Sequence, residues 1–245
     1  MTLAETHIDR GGVASPDFLT IPGLDQPLRT TLFNVALTNW TYNSNLGMLE
    51  ALLQDPFGNH ERLKQVRKAG LVMRSAYLLF TDASMPASQH RIVKAIGLQN
   101  DWMKLRGEPQ GDAIIEAVRL FTPQELKPTL VDDIMYQKRV STAANNIVSV
   151  ASSPNPDPDT FHKMRIELRH FLNIFRMLEL LPGTQPTTIL ERIDTMNDLL
   201  GQMHDDALHI VNGTVVYHAP SIPISPRISQ EVIGLVREIA PQQSR

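Results

Sequence analysis

Cationic side chains recur along one segment of the chain, residues 161–178, at the spacing of helical turns. When the segment is plotted at about 100° per residue, one stripe is cationic. Its members are His162, Arg165, Arg169 and Arg176, with Lys163 and His170 beside them. Arginine presents a planar fork of donors that suits phosphate oxygens, and a helix repeats such forks about 5–6 Å apart. The stripe therefore predicts a row of phosphate-contacting donors. A solvated helix face with ion pairs, for example to Glu167, is the alternative.

An apolar face of the same segment would hold this stripe in place. Six apolar side chains recur about 120° away from the cations on the same plot. They are Met164, Leu168, Phe171, Leu172, Phe175 and Leu178. The pattern predicts a partly buried amphipathic helix that begins after the proline-rich linker 152–158. Asp159 or Thr160 is the expected N-cap, and Leu181-Pro-Gly183 is the expected end.

A glycine-containing segment, Leu199–Asp206, follows this helix. The order is His-x-x-Arg-x-x-x-Arg-His, then an apolar helix, then Leu-Gly-x-x-His-Asp-Asp. In this order of motifs, the chain resembles the CHAD family (conserved histidine α-helical domain). The resemblance implies two antiparallel helical bundles related by a pseudo-twofold axis, and binding of inorganic polyphosphate. Asp205 is expected either to orient a stripe arginine or only to cap or solvate a helix end.

A weaker upstream copy of the motif begins at His60. Arg67 and Lys68 follow it at the offsets that separate His162 from Arg169 and His170, and Asp101 takes the place of Asp205. The copy departs from the family pattern because Leu63 stands where an arginine is expected. The copy adds further candidate anion ligands, and the helix before the second motif adds two more. They are His60, Lys64, Arg67, Lys68 and Arg74, followed by Lys138 and Arg139.

The 245 residues are enough for one large domain or two small ones with a real core. No strand pattern repeats, so we predict an all-α fold. The number of helical segments suits two four-helix bundles, and the resemblance implies that these are antiparallel and related by an internal pseudo-twofold repeat. Four regions are expected: an extended or disordered arm, two helical repeats and a C-terminal segment with a short helix. Their bounds are 1–26, 27–121, 122–211 and 212–245. Asn212-Gly213 also suggests a small turn or hairpin.

Composition limits the location and the charge of the protein. The chain has no cysteine, no long apolar run and no basic, apolar leader, so we expect a cytoplasmic protein without a membrane partner. Its net charge is −3, whereas the resemblance implies a basic domain. The charges are nevertheless segregated, because residues 60–106 carry nine lysines and arginines against three acidic residues.

Three functional hypotheses follow from these patterns. The first is a non-enzymatic module without cofactor or metal that binds polyphosphate or another polyanion, and specific recognition of nucleic acid is not expected. The second is an interaction or scaffold protein that keeps the fold but has lost anion binding. The third is a metal-dependent enzyme using His204, Asp205 and His209, although the chain has no nucleotide-loop, hydrolase or zinc-protease motif. The oligomeric state is not predicted.

Overall fold

The computed structural model describes the backbone of residues 20–45, 60–106, 112–120, 128–183, 188–211 and 214–241. Eight α-helices lie within these ranges. They are α1 (Gln26–Asn43), α2 (His60–Phe80), α3 (Ala87–Arg106), α4 (Asp112–Arg119), α5 (Asp133–Ala151), α6 (Pro158–Glu179), α7 (Thr188–Asp206) and α8 (Pro226–Ile239). An antiparallel hairpin of β1 (Leu208–Val211) and β2 (Thr214–Tyr217) lies between α7 and α8. The predicted all-α class is thus confirmed, with one small hairpin added.

Acidic or hydroxyl caps followed by proline mark the starts of several helices. Helix α6 begins at Pro158, and the Asp157 carboxylate accepts a hydrogen bond from the backbone N–H of Thr160 at 3.0 Å. The cap predicted at Asp159 or Thr160 was therefore wrong. Proline has no N–H to leave unsatisfied and its fixed φ suits the first turn, so the linker itself starts the helix. Helix α8 begins in the same way, with Ser225 as cap and Pro226 as its first residue.

The helices form two groups that follow chain order. In the first group, α2 packs between α1 and α3, and α3 also packs on α4. In the second, α6 packs between α5 and α7, while α8 packs on α5 and α7. The groups meet mainly where α2 packs on α6. Leu63 of α2 is buried in the core, so this departure from the family pattern fills an apolar position.

The segments next to the predicted boundaries are also packed. Ile21 and Leu24 are buried, and the Tyr136 hydroxyl donates a hydrogen bond of 2.6 Å to the Ile21 carbonyl. The part of the predicted arm from residue 20 onward is therefore folded against α5, and residues 1–19 lie outside the described residues. The boundary predicted at 211/212 falls inside the hairpin. No helix in the described ranges is long and apolar enough to cross a bilayer.

Candidate anion-binding site

A cavity of about 390 Å³ lies between α2, α3 and α6, and we call it the cationic groove. Arg67 and Arg74 of α2, Lys94 of α3 and Arg169 of α6 line it. Its polar lining also includes three histidines, His90, His162 and His170, together with Ser75 and Asn173. None of the described residues that line this groove is acidic. Clustered cations in a concave wall focus a positive potential, so the groove suits an anionic ligand.

A buried polar cluster fixes how α2 and α6 pack at the base of the groove. The Asn173 amide donates hydrogen bonds to the Ser75 hydroxyl at 2.9 Å and to the Leu71 carbonyl at 3.1 Å. The Ser75 hydroxyl also bonds to Nδ1 of His170 at 2.8 Å. Buried polar groups are costly when unpaired, so this network disfavours sliding of one helix along the other. The network thereby sets the position of Arg169 relative to Arg74.

Burial and neighbouring cations keep the groove histidines neutral at pH 7. Burial, with Arg74 and Arg169 nearby, lowers the pKa of His170 to about 3. Burial also lowers the pKa of His162 to about 4, and His204, Arg165 and Arg169 add to the effect. The pKa of His90 is lowered by its burial and by Arg74 and Lys94. Lysine and arginine therefore supply the positive charge of the groove, and the histidine rings offer neutral donors and acceptors.

We expect the stability of the protein to fall as the pH is lowered from 6.5 towards 3. The unfolded chain protonates His170 near pH 6.5, whereas the folded state resists protonation down to a pKa of about 3. Stability therefore rises with pH in this window, by up to about 1.4 kcal/mol per pH unit for each such histidine. Urea unfolding at pH 6 and pH 4.5 should show a smaller pH dependence in His170→Gln. An unchanged pH dependence would contradict this assignment.

His162 joins the groove to a second polar cluster around His204. Nδ1 of His162 lies 2.9 Å from Nε2 of His204, which also lies 3.1 Å from the hydroxyl of Tyr217. Nδ1 of His204 lies 3.3 Å from Asp205 Oδ1, and Nη1 of Arg165 lies 4.0 Å from the same oxygen. Asp205 is thus near a stripe arginine, as one of the two predicted roles requires. Arg165 lies against α7 in this cluster.

A glycine accommodates an arginine in each half of the fold. A Cβ atom on Gly97 would lie 3.6 Å from Nη2 of Arg67, and one on Gly201 would lie 3.7 Å from Nε of Arg165. The alignment of the two motif copies in the sequence pairs Arg67 with Arg169. In the structure, however, Arg67 lies next to Gly97 as Arg165 lies next to Gly201. Arg67 therefore corresponds to Arg165, which precedes Arg169 by four residues. The two glycine-bearing segments therefore share a local packing arrangement, with the arginine shifted by one helical turn.

The structure brings five predicted site residues into the groove and places the others elsewhere. The five are Arg67, Arg74, His162, Arg169 and His170. Lys64, Lys68 and Lys163 are exposed, and Lys64 pairs with Glu61 at 2.8 Å. Arg176 forms an ion pair of 2.8 Å with Asp194, which offsets its charge. The side chains of His60 and Asp101 lie outside the described residues.

Lys138 and Arg139 line a neighbouring cavity of about 630 Å³ between α2 and α5. Nη1 of Arg139 donates hydrogen bonds to the carbonyls of Leu78 at 2.7 Å and Thr81 at 2.6 Å. These carbonyls lie at the C-terminal end of α2, where a helix leaves acceptors without intrahelical partners. Arg139 therefore ties α5 to the end of α2 in addition to lining the cavity.

His90 and Lys94 are groove residues that the sequence analysis missed. Their spacing of four places both on one face of α3, with Gly97 one turn further on. That spacing, in a segment that ends in the repeated glycine motif, was the available signal. It was not sufficient, since the sequence does not say which face of α3 meets α6.

The metal hypothesis gains no support from the described residues. Among them, no group of three or more histidine, aspartate or glutamate side chains is arranged to hold a metal ion. His204 faces His162 and Tyr217, whereas the ring of His209 stacks on His218 with 5.4 Å between centroids.

Comparison of this chain with family models, with curated proteins and with solved structures finds no match. Any functional assignment therefore depends on the residues of the groove.

Proposed function

We propose that the chain is a non-enzymatic helical module that binds inorganic polyphosphate in the cationic groove. One observation carries the proposal: four lysine and arginine side chains from three helices converge on a cavity whose described lining contains no carboxylate. The chain as a whole has a net charge of −3, so the groove concentrates positive charge against the overall balance. Such segregation is the pattern expected of an anion-binding surface.

The chemistry of the groove suits a phosphate chain. Polyphosphate repeats a negative charge along its length, and a groove with cations on both walls can neutralise several successive phosphates. Arg67 and Arg74 belong to one wall, and Arg169 belongs to the facing helix. Arginine forks bind phosphate oxygens in pairs, while Lys94 adds a mobile point charge. Neutralised phosphates release condensed counterions, so affinity should fall as salt rises.

The proposal includes a repeated architecture of two four-helix bundles, as in the CHAD family that the sequence resembles. A pseudo-twofold axis would map α2 onto α6 and α1 onto α5. Such an axis would relate the α2–α6 contact to itself. It would also relate the α1–α6 contact to the α2–α5 contact. All three contacts are present. The glycine–arginine packing in both halves supports the same relationship. Ser75 and Asn173, which bond across the α2–α6 contact, would lie near the axis.

The test measures binding of long-chain polyphosphate at low and high salt to the wild type and to Arg74→Glu/Arg169→Glu. Each lost charge-assisted contact is worth about 1.5 kcal/mol or more, so the double variant should bind about 100-fold more weakly. The matched control is Lys64→Glu/Lys163→Glu, which changes the net charge equally at exposed positions outside the groove. We expect the control to bind within about threefold of the wild type, since neither lysine lines the groove and salt screens charges at exposed positions.

Two outcomes would contradict the proposal. Equal losses in the groove variant and the control would show that binding follows net charge and not the groove. No binding of polyphosphate at low salt would favour the second hypothesis, an interaction or scaffold protein with this fold. Circular dichroism and thermal unfolding of each variant would establish that its helices remain folded.

A further inference from the structure

The cavity of about 630 Å³ between α2 and α5 adjoins the cationic groove, and we call it the side cavity. Arg74, His90 and His170 line both spaces, so the two meet at these side chains. The walls of the side cavity differ in character from those of the groove. Apolar atoms form most of its lining surface, and Leu78, Leu79, Met85, Met135 and Ala143 contribute to it, although ten of the seventeen lining residues are polar or charged. A volume of this size and an apolar lining are typical of small-molecule pockets.

The side cavity is less uniformly cationic than the groove. Asp82 and Glu167 line it, whereas no described residue of the groove lining is acidic. Arg139 already donates to two backbone carbonyls at the end of α2. A phosphate there would meet two carboxylates beside the cations of Arg74, Lys138 and Arg139. Because ionised carboxylates repel a phosphate and cannot donate a hydrogen bond to it, the side cavity suits a phosphate less well than the groove does. The same carboxylates readily accept hydrogen bonds from hydroxyl or amino groups.

The Tyr77 hydroxyl is a polar group buried behind the wall of this cavity. Tyr77 lines the cavity and is only 2% exposed, and its oxygen has no hydrogen-bond partner among the described residues. Burial raises the pKa of Tyr77 to about 12, so the hydroxyl keeps its proton and can donate. A buried hydroxyl without a partner is unfavourable, and a polar group of a ligand would satisfy it once the neighbouring side chains move to expose it.

We propose that the side cavity binds an uncharged organic group at the end of the phosphate chain, and that this group is a nucleoside. The inference rests on the proposed function, because the phosphates would occupy the cationic groove. A nucleoside combines an apolar ring surface with hydroxyl and amino donors, which match the apolar walls and the carboxylates of Asp82 and Glu167. The phosphates next to the nucleoside would lie where the two spaces meet, beside Arg74, His90 and His170. The ligand class is then a nucleoside polyphosphate.

Calorimetric titration with ATP and with inorganic tripolyphosphate, both without divalent cations, tests this inference. The two probes share a triphosphate and differ in the nucleoside. We expect ATP to bind the wild type about tenfold more tightly than tripolyphosphate does, because the nucleoside adds modest apolar and hydrogen-bonding contacts. Tyr77→Phe should reduce ATP affinity about threefold or more without changing tripolyphosphate affinity. Ala83→Trp, which fills the side cavity from an exposed loop position, should remove the preference for ATP.

The outcomes separate this inference from the proposed function. If tripolyphosphate binds as tightly as ATP, and neither variant changes ATP affinity, the nucleoside inference is overturned and the cationic groove still binds phosphate. If Arg74→Glu/Arg169→Glu weakens both probes while Ala83→Trp weakens only ATP, both assignments are supported. If neither probe binds at low salt, both are overturned.

Discussion

Arg29→Met should lower the free energy of unfolding by about 3 kcal/mol, because it removes a buried guanidinium together with its hydrogen bonds and its contact with the Tyr136 ring. The Arg29 side chain is fully buried and reaches from α1 to the start of α5. Its guanidinium pairs with Asp133, donates to the Val131 carbonyl at 3.3 Å and lies 4.4 Å from the centre of the Tyr136 ring. Methionine retains much of the apolar volume but leaves the Val131 carbonyl without this donor.

Urea unfolding of Arg29→Met beside Asp133→Asn measures the effect. Asp133 is 64% exposed, so water can solvate its carboxylate when the arginine is absent. Asp133→Asn instead leaves the buried guanidinium of Arg29 without its counter-charge, so we expect it to cost about 3 kcal/mol as well. Together the two variants test whether Arg29 needs both its buried carbonyl contact and its counter-charge. A loss below about 1 kcal/mol in Arg29→Met would contradict the role of Arg29 in joining α1 to α5.

The helices were predictable because their signals are local. The apolar period of residues 161–178 and the prolines at 156 and 158 predict α6, and Asn212-Gly213 predicts the hairpin. The exact start of α6 was not predicted, since Asp157, Asp159 and Thr160 are each acceptable caps. The packing of α2 on α6 depends on Ser75 and His170, which are far apart in the chain. Nothing in either local sequence indicates that contact.

Only part of the candidate site was predicted, because the sequence of one helix does not show which neighbouring helices complete the site. The helical plot places Arg165 and Arg169 on one stripe, but the two positions differ by about 40° around the axis. That difference is enough for Arg169 to line the groove while Arg165 lies against Gly201 of α7. Arg176 belongs to the same stripe, yet Asp194 of α7 reaches it. A plot of one helix cannot show which neighbouring helix each side chain meets.

Gly70→Ala should destabilise the protein by about 2 kcal/mol, although alanine is the better helix former. Gly70 lies in α2 between α1 and α3. An added Cβ would lie 2.8 Å from Cζ3 of Trp40 and closer still to Cγ2 of Val93. Both neighbours are buried, so the helices must move apart. Val93 also lines the cationic groove next to Lys94, so displacement of α3 should weaken polyphosphate binding as well.

Gly97→Ala is the matched control for this prediction. Both substitutions replace glycine by alanine inside a helix, so the intrinsic gain of about 0.5–1 kcal/mol is common to both. At Gly97, however, the new Cβ would lie 3.6 Å from the Arg67 guanidinium, an ordinary contact. Thermal unfolding should therefore show Gly97→Ala at or above the wild type and Gly70→Ala well below it. Equal shifts in the two variants would mean that the α1–α2–α3 contact is not as close as the structure has it. A stable Gly70→Ala with unchanged polyphosphate affinity would further show that α3 does not need this spacing to place Lys94.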